Sequence, residues 1–405
     1  VVASVPALGV AAMESRPIDD RVVCTEWSKT NSRLAVRWDH AGNVCSIIDL
    51  VRAREVLPAG TLGAVLELAP DHPVEYDAWD LETWTRAGAV PLIGVHDVTV
   101  EVIDEGPLVG RVAVRRTFGP SSSIVTYELA AGSAALVVHV EFDWRHDEHL
   151  LSMAFPLDVR ADTARCDVQF GTVARATHPS NPWDAAKFEV CAHRVVDVAE
   201  PDFGVAILND GRYGHCVFDG AVRVSLARAA KYPDPGADHG RHHVTLAVLP
   251  HGGDPALVRD VAARLNSPVR PVVGDVGGAG SVAPGTWPSP VVSVRGRAAG
   301  SAGGVAAGPA GGASEESAGV QIDAVKQADD GSGDLVVRFH EAIGNRTALD
   351  VRADRRVVAA WHCNLLEEPT GAEEVGDGIV ALTVRPFQIV TLRLRLGDAF
   401  DGRAL

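Results

Sequence analysis

No run of 18 apolar residues occurs in this 405-residue chain, so no segment reads as a helix able to span a bilayer. An excess of positive charge is also missing. The 37 Lys and Arg stand against 53 Asp and Glu, a formal charge of −16, which argues against a nucleic-acid or anionic-membrane partner. There is no C-x-x-C pair. Cys24, Cys45, Cys166, Cys191, Cys216 and Cys363 are scattered, the pattern of reduced, buried thiols in a cytoplasmic protein rather than of a disulfide framework or zinc site. Neither G-x-S-x-G, a P-loop nor a G-x-G-x-x-G in a βαβ setting appears, which leaves triad-hydrolase, nucleotide and dinucleotide readings without support. The first residue is Val1, with no signal-peptide pattern behind it, so the chain reads as a piece of something longer.

Apolar residues make up 46% of the chain, enough to bury a sizeable core without disulfides or metals. The length predicts two or three domains. The dominant hydrophobic period is two. In Val137–Trp144, Val138, Val140, Phe142 and Trp144 alternate with His139, Glu141 and Asp143. In Ile389–Leu396, Val390, Leu392, Leu394 and Leu396 alternate with Thr391, Arg393 and Arg395. Similar runs are Leu34–Trp38, Val95–Ile103, Arg111–Phe118, Ile124–Leu129, Val222–Leu226 and Leu335–Phe339. Turn signals separate them: Ala41-Gly42-Asn43, Glu105-Gly106-Pro107, Ala131-Gly132-Ser133 and Asn209-Asp210-Gly211. The pattern predicts an all-β protein of packed antiparallel sheets, each with one face on a core.

One segment breaks this period. Asp254-Pro255 supplies a cap and a first-turn proline, Leu257, Val258, Val261 and Leu265 recur at helical spacing, and Ser267-Pro268 ends the run, predicting one short helix near 255–266. From Gly274 to Ser317 the composition turns to Gly, Ala, Ser and Pro, with too little apolar surface to offset ordering, and reads as a flexible linker or insertion. The expected organisation is therefore 1–270, a large β-sandwich; 271–319, a linker; and 320–405, a small C-terminal β-sandwich.

Four segments carry side chains suited to chemistry. Arg145-His146-Asp147-Glu148-His149 spaces two histidines three apart, which would put them on opposite faces of a strand, so it reads as a charged turn rather than a metal pair. Asp238-His239-Gly240-Arg241-His242-His243 reads as a polar loop entering a strand over Val244–Leu249, with binding of a metal or a sugar by that loop as the alternative. Tyr76-Asp77-Ala78-Trp79-Asp80 combines aromatic faces, which stack on sugar C–H surfaces, with carboxylates that accept hydroxyl hydrogen bonds. His178-Pro179-Ser180-Asn181-Pro182-Trp183-Asp184 is a loop by its prolines and again joins Asn, Trp and Asp. For Tyr76–Asp80, structural packing competes with sugar contact and with catalysis by Asp77 and Asp80 as a carboxylate pair.

Several spaced motifs, in order, resemble one family. They are Tyr76–Asp80; Asp143-Trp144-Arg145 with Phe155-Pro156; Phe188-Glu189-Val190 with Ala192-His193-Arg194; Phe203 to Gly214; Tyr232-Pro233-Asp234-Pro235 with Asp238-His239-Gly240; Leu249 to Gly253; Val325 to Ala328 with Arg338 to Ala342; and Pro386-Phe387 with Thr391-Leu392-Arg393. This set resembles α-mannosidases of glycoside hydrolase family 38, more specifically their cytosolic and bacterial branch, and covers nearly all of the chain outside the Gly/Ala-rich segment.

The resemblance is to the family's C-terminal, all-β half. It implies a galactose-mutarotase-like antiparallel supersandwich followed by a smaller sandwich, with the chain beginning just after a catalytic α/β domain and a helical domain. It implies hydrolysis of terminal α-linked mannose by a retaining mechanism. The catalytic carboxylates and the zinc, or another divalent cation, would belong to the preceding polypeptide, with no catalytic or metal-ligating residue in this chain, so the chain alone should be inactive. The implied partners are a mannose-containing oligosaccharide, the protein's own N-terminal catalytic domain and further copies of itself. Tyr76, Asp77, Trp79, Asp80, Asn181, Trp183 and Asp184 match motifs expected to face the substrate cleft. His243 stands where relatives usually carry Glu, so no carboxylate role transfers there. The competing reading, from another class, is a non-catalytic carbohydrate-binding β-sandwich module.

Overall fold

The structure is a computed structural model that describes residues 19–94, 97–268, 292–296 and 319–399. These residues form antiparallel sheets in two compact units, one within Pro17–Val168 and Val173–Asp254, the other mainly Pro255–Leu405.

In the larger unit a nine-stranded sheet runs in the order Gly171–Ala176, Thr163–Val168, Val195–Ala199, Gly204–Asn209, Gly240–His251, Leu136–Trp144, Ser121–Ala130, Val109–Phe118, Val98–Glu105. A six-stranded sheet follows the order Val190–Cys191, Gly214–Cys216, Ala221–Arg228, His149–Pro156, Val65–Pro70, Val90–Pro91. A five-stranded sheet spans Val23–Thr25 to Arg54–Glu55. The alternation seen in the sequence is what lets these sheets share one core. Val138, Val140, Phe142 and Trp144 of one sheet, Leu151, Met153 and Phe155 of another, and Leu34, Val36 and Trp38 of the third are all buried in the same cluster. Burying side chains of this size contributes roughly 1.5–3 kcal/mol each before entropy is counted.

The expected strands appear, most of them longer than their alternating stretch. Leu136–Trp144, Ser121–Ala130, Val109–Phe118 and Ile389–Ala399 extend past it because backbone pairing continues where the apolar pattern stops. The strand expected over Val244–Leu249 begins at Gly240, since His242 stacks on Phe142 at 4.8 Å instead of staying in a loop. Glycines at the expected turns, Gly42, Gly106, Gly132 and Gly211, take positive φ. Gly42 is tightly constrained: at φ +71° a Cβ there would lie 2.6 Å from Val114 Cγ2. Its turn is also pinned by the buried Arg116, whose guanidinium donates to Ala41 O at 2.6 Å and Asn43 Oδ1 at 2.7 Å.

The smaller unit pairs a four-stranded sheet (Val292–Gly296, Thr347–Ala353, Ile379–Val384, Val375–Gly376) with a five-stranded one (Val320–Gln327, Leu335–Glu341, Ile389–Ala399, Arg355–Cys363, Pro369–Glu373). Val337, Phe339, Leu349, Val351, Val380 and Leu392 form its core. Val292–Gly296 lies inside the segment read as a linker yet pairs with Thr347–Ala353, because Val292 and Val294 alternate and bury. The rest of 271–319, apart from Gly319, lies outside the described residues.

The expected helix spans Pro255–Asn266. Its buried residues are Val258, Arg259 and Ala262, so a charged side chain takes a place the apolar pattern assigned to Leu257, Val261 and Leu265. Arg259 Nη2 lies 3.5 Å from His340 Nε2, and His340 Nδ1 faces Asp323 at 2.9 Å. The neighbouring Glu341 is fully buried and accepts backbone N–H groups of Ile343, Gly344 and Phe387 at 2.8–3.2 Å. The motifs around Arg338–Ala342 and Pro386–Phe387 are thus packing and turn devices. Among the six thiols, Cys166 and Cys216 are buried, Cys24, Cys45 and Cys363 are half-buried, and Cys191 is exposed where burial was expected; all six are free. Cys191 lies on an edge strand of two residues, too short to cover it.

Gly42→Ala should destabilise the larger unit by at least about 2 kcal/mol, combining left-handed backbone strain with a clash against Val114. A fall in its denaturant midpoint at unchanged slope reads this, and an unchanged midpoint would show that the turn relaxes freely.

Candidate functional site

The six-stranded sheet carries polar groups on the face away from the core. Arg223 Nε donates to Glu67 Oε2 at 3.0 Å across Ala221–Arg228 and Val65–Pro70. Over the same face the chain between Val65–Pro70 and Val90–Pro91 folds a loop and a short helix, α1 (Thr83–Ala87), whose cap Glu82 makes no side-chain capping bond. A five-residue helix without a cap does not hold itself. Arg86 anchors it: Nη1 donates to Ser152 Oγ and Nη2 to Ser225 Oγ, each at 3.0 Å, and Nε donates to Glu189 Oε1 at 2.5 Å. Burial pushes the Glu189 carboxyl above the ordinary carboxylate range, and the Arg86 guanidinium pulls it back.

The expected site residues fall on two segments, of which the first, Tyr76–Asp80, is bonded to Arg228 and to the backbone at 231–232 beside this sheet. Tyr76 sits at φ +53°, a left-handed conformation costly for a bulky residue, and is 66% exposed. Trp79 is 66% exposed, and its N–H, like that of Asp80, donates to Tyr76 O. Asp77 Oδ2 accepts the N–H of Lys231 at 2.5 Å and of Tyr232 at 2.9 Å. Arg228 Nη2 donates to the carbonyls of Asp77 and Asp80, and its Nε to Asp71 Oδ2 at 2.5 Å. The second segment is not only a loop. Asn181 caps a one-turn helix, α2 (Pro182–Ala185), accepting from Asp184 N at 2.9 Å, while its amide donates to Asp184 Oδ2 at 2.5 Å; Pro182 at the first turn favours it. Asn181 and Asp184 therefore serve each other, and Trp183 stands 81% exposed between them.

The expected residues do not bond across the two segments. Arg86 and Glu189 pair instead; Glu189 lay in a family motif, but nothing local in the sequence pointed to its partner 103 positions away. Not named as site residues were Trp84 of α1 and, although they lie in the family motifs, Tyr213 and Tyr232; all three are exposed. Tyr213 is steadied from below: the buried His215 donates Nδ1–H to Tyr213 O at 3.1 Å, and burial pushes its pKa down to about 4. His193 is half-buried against Tyr213, ring centroids 4.7 Å apart.

The histidine clusters are structural. His146 and His149 rings approach to 5.2 Å because the chain turns between two strands, not because they share a helix face. His146 pairs with Ser121 Oγ, and His239 and Lys231 pair with Asp147. Among the described residues no group of three or more His, Cys, Asp or Glu is placed to hold a metal ion. An open cavity of about 560 Å³ lies at the other end of His149–Pro156, beside Leu157, Arg160, Asp162 and Thr177, and contains none of the expected site residues.

Residues 30–236 match the family model described as the glycosyl hydrolases family 38 C-terminal domain, and residues 319–392 that of the glycosyl hydrolases family 38 C-terminal beta sandwich domain. Alpha-mannosidase 2C1 of Homo sapiens is 33% identical over 373 residues, 90% of this chain and 33% of the relative. The Mus musculus protein of the same name is 32% identical with the same coverage. The chain thus spans about a third of the length of these relatives. An α-mannosidase from Enterococcus faecalis V583 superposes with a TM-score of 0.72 at 18% identity, covering 95% of this chain and 44% of that one, a likeness of fold.

Two outcomes test this framework. Arg86→Ala leaves Glu189 buried without its cation and should cost about 3 kcal/mol, read by denaturation. His215 is neutral when folded, so stability should fall as pH drops from about 6.5 towards 4, by about 3 kcal/mol for this group. Its lowered pKa means the unfolded chain binds the proton first, and His215→Gln should flatten that slope.

Proposed function

This chain belongs to glycoside hydrolase family 38, and on that premise we propose that it is the C-terminal, β-sheet part of an α-mannosidase that removes terminal α-linked mannose from oligosaccharides. The observation that carries the reading is the match of both C-terminal family models in order along one chain, supported by relatives named α-mannosidases over nine-tenths of it. The finer reading is a retaining mechanism. One carboxylate forms a covalent mannosyl-enzyme and a second carboxylic acid protonates the leaving oxygen. Those groups, and a divalent metal, are assigned to polypeptide preceding this chain. The chain's own contribution is a rigid sandwich whose six-stranded sheet turns Tyr76, Asp77, Trp79, Asp80, Asn181, Trp183 and Asp184 toward the oligosaccharide. The protein acts in the cytoplasm and self-associates in this reading.

A second reading, a non-catalytic carbohydrate-binding module, is favoured by one observation, the exposed aromatics on that face. An aryl α-mannoside assay separates the two. The 405-residue chain alone should show no turnover, and the chain joined to its preceding polypeptide should show metal-dependent turnover. Turnover by the isolated chain would overturn the assignment of the catalytic groups, and an inactive longer protein would favour the binding module.

A further inference from the structure

Asp77 and Asp80 stand three apart in one turn and have different surroundings. The Asp77 carboxylate is spent on the backbone N–H groups of Lys231 and Tyr232, which ties two loops together that are more than 150 residues apart. The Asp80 carboxylate has no hydrogen bond or ion pair among the described residues; only its backbone is used, the N–H by Tyr76 O and the carbonyl by Arg228. The consequence of the Asp77 tie is that Tyr232, 68% exposed, is held beside the turn that carries Tyr76 and Trp79. The Tyr76 backbone holds its strained left-handed conformation while leaving the ring in water, so burial of that ring does not explain the conformation. Glu75 and Asp80 flank Tyr76 and Trp79 in sequence, Asp234 follows Tyr232 by two residues, and all three carboxylates are exposed. An apolar protein surface laid here would desolvate those carboxylates without partners. A pyranose ring would not, because it offers an apolar C–H face to an aromatic and hydroxyls to a carboxylate.

We propose that Tyr76, Trp79 and Tyr232 form a stacking platform for a pyranose unit of an oligosaccharide, that Asp80 accepts its hydroxyls, and that Asp77 is a positioning residue joining the two loops. This rests on the reading that the six-stranded sheet's face meets mannose-containing oligosaccharide, and it assigns a different role to each of two carboxylates and adds Tyr232.

Affinity electrophoresis of the 405-residue chain through gels containing soluble α-mannan tests it. The unaltered chain should be retarded. Trp79→Ala and Tyr232→Ala should each weaken the apparent affinity about five- to tenfold, Tyr232→Phe should keep it, and Asp80→Asn should weaken it severalfold with no change in proteolysis. Asp77→Ala should weaken binding and speed proteolysis within 229–236. Asp77→Asn, which keeps an oxygen acceptor for the two N–H groups, should restore both. If Trp79→Ala abolishes retardation while Tyr232→Ala and Asp77→Ala behave as the unaltered chain, the platform is wrong and the oligosaccharide-facing reading stands. If the folded, unaltered chain is not retarded at all, that reading fails and the platform with it. Retardation of the chain but not of the longer protein would overturn the platform by assigning the rings to contact with the preceding polypeptide.

Discussion

A guanidinium taken out of water has to find its partners in the protein, and Arg86 finds three: a carboxylate and two hydroxyls from three separate strands or loops. Its position sets much of the outer face of the six-stranded sheet. α1 has no cap and too few residues to persist alone, so its place depends on this side chain. Glu189, just after α2, is drawn to the same point, and with it the segment that presents Trp183. The strand His149–Pro156 is buried on both faces because this loop covers its outer one, and that explains why Ser152, a polar residue, is buried and still satisfied.

The same economy appears at the rim of the sheet. Arg228 ties Asp71 to two carbonyls of the Tyr76–Asp80 turn, and Asp77 ties that turn to Lys231 and Tyr232. Charged side chains spent on backbone groups build a frame, and the aromatic rings are left outside it. In the smaller unit Glu341 does comparable work, folding Gly344 and Phe387 onto one carboxylate. Motif residues that look chemical in a linear sequence are, in these places, what holds turns that hydrophobic burial alone would not specify.

Legibility differed by the range of the interaction. Strands such as Leu34–Trp38 and Leu335–Glu341 were plain from alternation, and the helix Pro255–Asn266 from its cap, its proline and its period. Arg259 at the buried face of that helix was not, because its worth comes from His340, 81 positions away. Val292–Gly296 was hidden by the composition around it, since a five-residue strand with two inward valines is a weak signal inside a Gly/Ala-rich stretch. The one-turn helix Pro182–Ala185, capped by Asn181, was hidden because two prolines within four residues read as a loop.

What the sequence determined by itself is the sheet architecture and the family, because period-two burial, turn glycines and ordered motifs are properties of neighbouring residues. The tertiary structure alone decided which carboxylate is frame and which is free. Asp77 and Asp80 share a turn, a residue type and an aromatic neighbourhood, and they separate only when Lys231 and Tyr232 arrive from the far side of the chain to occupy one of them. Hydrogen bonds between distant segments exist only after the sheets have brought those segments together, so no local pattern records them.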